Sequence, residues 1–231
     1  MLLDILFEEV NYERINKIPI QSTFIPLKGK PLLVDVPSLE DILGDKLTAF
    51  APNTTGIPYF KKDDSMSMEI IKQLYDIGNL LDVVNDAKII KSTFYRFAKT
   101  ELTYRDTKGL NEADVLEDIY QTSLCIATRG LDGKGEFEEL QLGIDRVRGY
   151  IFSESYHLEK AITDASKAAN LSALIKYDAK KVEKFKDPLE LKDWLIAEPM
   201  NTKLNKFKKS NPEAFFYWYK IYKASTYKDP H

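Results

Sequence analysis

The chain has 231 residues, of which 44% are hydrophobic and 30% are charged, a composition typical of a globular protein with one large domain or two small ones. Its formal net charge of −3 excludes a surface that is basic overall, so any nucleic-acid binding would need a local patch. The single cysteine, Cys125, excludes an internal disulfide framework and a cysteine-based zinc site.

The sequence also lacks the segments that direct a protein into or across a membrane. It contains no apolar run of bilayer length. Its first residues do not show the basic and then apolar pattern of a signal peptide. We therefore expect a cytoplasmic protein with no membrane partner.

The first part of the chain is β-rich and the remainder is helical. Short β-rich runs occupy residues 2–10, 21–27 and 30–37, and turn residues separate them. After Pro37 the apolar residues recur with a helical period. Helices are predicted near residues 38–50, 66–84, 86–105, 111–128, 135–152, 156–176, 188–197 and 211–224.

These elements predict an α+β fold, in which a small incomplete sheet is followed by a mainly α-helical bundle of five to seven helices. We place the domain boundary so that residues 1–64 form the α/β region and residues 65–231 form the helical domain. A sheet this small is marginal without helices packed on it, and its unpaired edges predict a homodimer through the sheet.

The first β-rich run carries an acidic residue among apolar neighbours. Strand alternation puts Asp4 on the same face as Leu2 and Leu6. One interpretation is an edge strand that carries a protective inward charge. The other is a carboxylate that binds a hard cation such as Mg²⁺, which prefers oxygen ligands.

The first predicted helix contains a lysine where an apolar residue is expected. Ser38 suits the N-cap position, and Asp41 three residues later forms an acidic version of the capping box. At about 100° per residue, Lys46 falls near the middle of the apolar arc of this helix. Its ammonium needs an acidic partner, or its stem must lie along the apolar face with the charge at the rim.

The second predicted helix offers that partner. Lys72 and Asp76 lie four residues apart beside its apolar stripe. One interpretation is a surface ion pair between these two residues, which would contribute a few tenths of a kcal/mol. The alternative is that Asp76 contacts Lys46 on the preceding helix.

The C-terminal segment combines basic and aromatic residues. Lysines 203, 206, 208 and 209 precede a run of aromatic residues from Phe215 to Tyr222. Such a segment can stack on single-stranded RNA and neutralise its phosphates. The alternative is a helix that begins near Pro212 and packs its aromatic side chains into the bundle.

Two stretches of the sequence resemble a known family. The segment SLEDILGDKLTAF, followed about twenty residues later by IIKQLYDIGNLL, is similar to the AbiEii/AbiGii toxin family of nucleotidyltransferase-like proteins. That family has a helix with an acid five residues before a lysine, which matches Asp41 and Lys46 in this chain. A second helix carries a basic residue and then a Tyr-Asp pair, as do Lys72, Tyr75 and Asp76. Asp4 stands where the family has its third sheet carboxylate.

The resemblance implies a nucleotidyltransferase-like sheet and a toxin of a toxin–antitoxin or abortive phage infection system. It implies a catalytic set of Asp4, Lys46 and Asp76, in which Asp4 binds Mg²⁺ and Asp76 orients Lys46. Lys46 and Lys72 would contact the phosphates of the nucleotide. The implied partners are a nucleoside triphosphate, tRNA and an antitoxin protein.

The sequence departs from the family in the half that holds the triphosphate. The family opens with a Gly-Gly or Gly-Ser turn and an Asp-x-Asp pair, whose carboxylates would align two metal ions for phosphoryl transfer. Neither motif precedes Asp4, which has three residues before it. We therefore expect an N-terminally truncated and inactive nucleotidyltransferase-like protein, with Mg²⁺ bound only if the site is completed. The alternative is a non-enzymatic helical binding module for a protein partner or RNA.

Overall fold

A computed structural model describes residues 12–21, 26, 28–105 and 109–226. Within these ranges it contains two small antiparallel sheets and eight α-helices, so the predicted α+β fold with mainly helical content is confirmed. The helices are α1 (Leu39–Ala49), α2 (Ser67–Val83), α3 (Ala87–Tyr104), α4 (Glu112–Thr128), α5 (Phe137–Val147), α6 (Leu158–Lys176), α7 (Phe207–Ser210) and α8 (Pro212–Thr226). None of the described helices has the length and apolarity needed to cross a bilayer.

The two sheets are hairpins of two strands each. The first pairs β1 (Ile15–Pro19) with β2 (Leu33–Pro37), and the second pairs β3 (Phe60–Lys61) with β4 (Asp64–Ser65). The predicted run 30–37 contains β2, whereas the local sequence pattern did not predict β1. The run 2–10, which includes Asp4, and most of the run 21–27 lie outside the described residues.

A buried carboxylate attaches the first hairpin to the helices. Asp41, in the first turn of α1, accepts the backbone N–H groups of Glu13 and Arg14 at 2.8 and 3.1 Å. It also accepts the hydroxyls of Ser38 and Thr93, each at 2.6 Å. Burial alone would raise the pKa of Asp41, but these four hydrogen bonds outweigh it and the pKa is lowered. The predicted cap is present, since the Asp41 N–H donates to Ser38 Oγ at 3.1 Å.

Helix α6 lies at the centre of the bundle and contacts α2, α4 and α8. It is lined by small buried residues, which let the neighbouring helices approach closely: Ala161, Ala165, Ser166, Ala168, Ala169 and Ser172. Helix α1 packs on α2 and α3, and its Gly44 lies so close to α3 that a Cβ there would be 2.7 Å from the Ile90 carbonyl oxygen. The domain boundary at residues 64 and 65 stays a prediction.

A buried lysine joins three helices at this centre. Lys167 of α6 has a side chain that is 1% exposed, and its Nζ lies 2.8 Å from Asp82 Oδ2 of α2. The same Nζ lies 3.1 Å from Glu213 Oε1 of α8 and donates to the Gly78 carbonyl at 3.2 Å. Burial lowers the pKa of Lys167, but Glu213 and Asp82 outweigh it and the pKa is raised. The ammonium therefore stays charged inside the bundle.

One turn before Lys167, α6 carries a buried acid, Asp164, that in the described part of the chain has no ion pair of the kind Lys167 makes. Asp164 is 0% exposed, and its carboxyl lies beside the buried Tyr156 hydroxyl, although no hydrogen bond of regular geometry reaches either oxygen within the described residues. It packs against α2 at Gly78, where an added Cβ would lie 2.2 Å from Asp164 Oδ1. Burial raises the pKa of Asp164 to about 7, although the charges of Lys160 and Lys167 oppose the rise.

Two predicted helices are shorter than expected. The segment 135–152 is helical as α5 from Phe137 to Val147, and Gly149 follows in a turn. Glycine costs a helix about 1 kcal/mol relative to alanine, which favours an end before it. The segment 188–197 forms one 3₁₀ turn, Pro188–Leu191, capped by Asp187.

The aromatic run of α8 packs into the bundle, which was the second alternative for this segment. Phe215, Phe216, Tyr217 and Trp218 are all buried. Two of the preceding lysines also contact the protein itself. Lys208 Nζ donates to the Trp194 carbonyl at 2.9 Å, and Lys203 Nζ lies 3.1 Å from Asp132 Oδ2.

We expect Lys167→Met to lower the free energy of unfolding by about 1.5–3 kcal/mol, because it removes hydrogen bonds of a buried charged donor. The matched control is Lys176→Met on the same helix, whose ion pair with Glu117 is solvent-exposed. The control should cost less than about 1 kcal/mol. Urea unfolding of both variants measures the difference, and equal losses would mean that the buried contacts of Lys167 stabilise the bundle no more than a surface ion pair does.

Asp164 should make the stability of the protein depend on pH. Its pKa is about 7 in the folded protein against an ordinary value of 3.8, so the folded state binds more protons between these values. This group's contribution to the free energy of unfolding is full below pH 4 and falls by up to about 1.4 kcal/mol per pH unit up to pH 7. Urea unfolding of wild type and Asp164→Asn across this range should give a smaller pH slope in the variant.

Candidate functional site

The lysine singled out in the sequence lies where α1 crosses α2. Lys46 Nζ is 2.6 Å from Asp76 Oδ2 and donates to Gln73 Oε1 at 3.2 Å. The contact between Asp76 and Lys46, one of the two alternatives, is therefore present. Gln73 was missed, although its position three residues before Asp76 places both on one face of α2.

The ammonium of Lys46 is close to solvent. Its side chain is 27% exposed and that of Asp76 is 41% exposed, whereas Leu43 and Leu47 beside it on α1 are fully buried. The stem thus lies along the apolar interface and the charge is at the rim. Lys46 therefore has both features that the sequence suggested as alternatives, an acidic partner and a charge at the rim. A lysine ammonium has three N–H donors, and Asp76 and Gln73 account for two of them. Within the described ranges these are the acceptors of the Lys46 ammonium, so its third donor is available there.

A second lysine, Lys72, lies on α2 near Asp76. Lys72, one turn before Asp76, has its Nζ 5.2 Å from the centre of the Tyr150 ring, a cation–π contact. The surface pair between Lys72 and Asp76 is not what the structure shows, because the Asp76 carboxylate is directed to Lys46. We define the Lys46 site as Lys46, Lys72, Gln73, Asp76 and Tyr150.

The segment between α5 and α6 lies along α2 beside the Lys46 site. Tyr75 Oη and Ser153 Oγ are 3.2 Å apart, and the Tyr75 ring meets the Tyr156 ring edge-on with centroids 5.3 Å apart. Together with Tyr150, these contacts hold the segment along α2. No local pattern predicts them, because Tyr75 and Ser153 lie 78 positions apart in the sequence.

A second carboxylate stands next to Lys46 on α1. Asp45 Oδ2 accepts a hydrogen bond from Tyr12 Oη at 3.3 Å. Burial raises the pKa of Asp45, and Tyr12 and Lys46 only partly oppose it. Burial and the nearby Asp45 in turn raise the pKa of Tyr12 to about 12. Asp45 is thereby engaged with the start of the first hairpin.

The described residues do not by themselves fit a magnesium site. Asp4, the predicted metal ligand, lies outside them. Within the described ranges, no group of three or more acidic, histidine or cysteine side chains is arranged to hold a metal ion. Asp45 and Asp76 are engaged by Tyr12 and Lys46.

The chain matches the model of a known protein family. A family model described as "Nucleotidyl transferase AbiEii toxin, Type IV TA system" matches residues 1–215. No curated protein and no solved structure matches the chain. The matched range includes both helices of the Lys46 site and extends into α8, well beyond the two stretches that carried the resemblance.

The ion pair between Lys46 and Asp76 should contribute little to the stability of the fold. Because both partners are partly exposed, Lys46→Met should change the free energy of unfolding by less than about 1 kcal/mol. The same substitution at the buried Lys167 provides the comparison, and urea unfolding measures both. A loss at Lys46 as large as that at Lys167 would mean that Lys46 mainly supports the fold.

Proposed function

The chain belongs to the AbiEii family of nucleotidyl transferase toxins, and from this premise we propose that the Lys46 site binds the phosphates of a nucleoside triphosphate. The observation that carries the proposal is the geometry of the Lys46 ammonium. It reaches the rim of the α1–α2 interface, and Asp76 and Gln73 hold it in one orientation.

The roles of the side chains follow from their contacts. Lys46 supplies a compact positive charge and one remaining N–H donor for a phosphate oxygen. Asp76 is a positioning residue, because it acts on the nucleotide through Lys46. Lys72 supplies a second ammonium, and its contact with the Tyr150 ring restricts where that charge lies.

Nucleotide transfer by this chain is a separate question. The sequence contains no Gly-Gly or Gly-Ser dipeptide and no Asp-x-Asp pair, the motifs that hold and activate a triphosphate in the family. We therefore propose that the chain binds a nucleotide and does not transfer it. The roles of Asp4 in binding Mg²⁺ and of tRNA as acceptor stay predictions from the resemblance, as does the cytoplasmic location.

A second candidate function is a binding module without catalysis, and the first hairpin favours it. Ile15, Ile18, Leu32 and Leu33 of this hairpin are all exposed although apolar. Membership of a toxin–antitoxin family implies an antitoxin partner. The antitoxin and a second copy of this chain are the candidate partners for the hairpin, the second matching the predicted homodimer.

The nucleotide proposal predicts a loss of binding when the Lys46 charge is removed. Isothermal titration calorimetry with each of the Mg²⁺-nucleoside triphosphates should give binding to the wild type that Lys46→Met weakens by about tenfold or more, since a charge-assisted contact to phosphate contributes about 1.5–3 kcal/mol. Lys209→Met, an exposed lysine on α7, has the same change of charge and should bind as the wild type does.

Two results would contradict the proposal. One is the absence of binding to the wild type, and the other is an equal affinity in wild type and Lys46→Met. A parallel incubation of the wild type with radiolabelled triphosphates and total tRNA measures transfer directly. Labelled tRNA would show that the chain is active despite its missing motifs.

A further inference from the structure

A groove lies along α8, on a part of the molecule that the Lys46 site does not use. Two adjoining cavities of about 350 and 420 Å³ are bounded by α8 and by the irregular segment 179–187. They share Glu183 and Lys220, so they adjoin at this ion pair. We call the two cavities together the α8 groove.

Its charge is opposite to that of the chain as a whole. Two glutamates, Glu183 and Glu190, line the α8 groove together with six lysines: Lys180, Lys181, Lys184, Lys186, Lys220 and Lys223. Glu183 is paired with Lys220, whose Nζ lies 2.6 Å from its Oε2. In a chain with a net charge of −3, this concentration of lysines makes a local site for a polyanion.

The groove also has an aromatic wall. Trp194 lines it and is only partly buried. Its ring stacks on Tyr219 with centroids 4.3 Å apart and an interplanar angle of 22°, and lies 5.8 Å from Phe216 at 26°. The indole is therefore held in one orientation beside the lysines.

We propose that the α8 groove binds single-stranded RNA, with the lysines along its phosphates and Trp194 against its bases. Basic grooves with fixed aromatic side chains bind single strands in this way, because unpaired bases can stack while the backbone follows the charge. We favour RNA over an anionic lipid surface because Trp194 lines the groove and is stacked on Tyr219, where a single base can reach its ring. The proposal does not depend on nucleotide binding at the Lys46 site.

The lysines involved are not those that the sequence suggested. Lys203 and Lys208 of the predicted segment contact Asp132 and backbone carbonyls. The lysines of the groove come mostly from the segment 179–187, which has no regular secondary structure. Only the folding of this segment against α8 brings them beside Trp194.

The test is fluorescence anisotropy with a labelled oligouridylate of about twelve nucleotides, at roughly 50 and 200 mM salt. The variant Lys181→Glu/Lys186→Glu changes two exposed lysines of the groove. We expect its affinity for the RNA to fall by about tenfold or more. The slope of the logarithm of the binding constant against the logarithm of the salt concentration should become shallower by about 1.4, because each of the two lost phosphate contacts contributes about 0.7 in single strands. The control, Lys61→Glu/Lys134→Glu, has the same change of net charge at exposed positions outside the groove and should stay within about twofold of the wild type.

Trp194 provides an independent measurement. RNA should quench the tryptophan fluorescence of the wild type, and Trp194→Phe should abolish the quenching, because the other tryptophan, Trp218, is fully buried. Circular dichroism and thermal melting of each variant establish that it is folded.

Four outcomes would overturn the proposal. They are the absence of RNA binding at the lower salt concentration, equal losses in the groove and control variants, equal affinity for a duplex of the same length, and binding to anionic phosphatidylserine vesicles without binding to RNA. Lys46→Met should bind RNA as the wild type does. The RNA result therefore stands or falls separately from the nucleotide result.

Discussion

The arrangement of the bundle depends on one buried ammonium, that of Lys167. Removing a lysine from water costs several kcal/mol unless acids and hydrogen-bond acceptors surround it. In this bundle the acceptors come from different helices, Asp82 and Gly78 from α2 and Glu213 from α8. The ammonium has all of these acceptors together only when α2, α6 and α8 are in their native positions, so the contacts favour that packing of the helices. Because α2 also carries Gln73 and Asp76, the same ion pair fixes the helix on which the Lys46 site is built.

The sequence pattern singles out Lys46 and does not mark Lys167, and the reason is physical. Helix α1 has a polar side and an apolar side, so Lys46 stands out against the pattern of its neighbours. Helix α6 is buried on nearly all sides, and its polar residues Ser166, Lys167 and Asn170 are buried along with its alanines. In such a helix no face is reserved for charge, and periodicity cannot mark a lysine as unusual. The contact between Lys46 and Asp76 could be predicted from the sequence, because helices that follow one another in the chain often pack together.

Long-range stabilisation explains why the strand β1 and the contacts of the segment after α5 were not predicted. The strand β1 has a weak local pattern, and it is held by pairing with β2 and by the hydrogen bonds of the adjacent Glu13 and Arg14 to the buried Asp41. In contrast, α1 and α4 begin where predicted. Their N-caps, Ser38 and Asn111, accept hydrogen bonds from backbone N–H groups no more than three residues further along the chain, which is a local interaction. Tyr150 and Ser153 belong to the same class as β1, because only the folded chain brings the segment after α5 to α2.

Helix α2 connects the three charged features of the molecule. Its middle contacts Lys46 through Gln73 and Asp76, and its last turns contact Lys167. Just past its end, Asn85 Oδ1 accepts a hydrogen bond from Lys184 of the α8 groove at 3.1 Å. From Asp76 to the end of α2 is roughly 10 Å at 1.5 Å per residue, so the residues that contact Lys46 and Lys167 lie close together on this helix, and Asn85 follows two residues after its end. A change in the core that displaces α2 would therefore reach both proposed binding sites, whereas a change of a rim lysine in either site leaves the core pair intact.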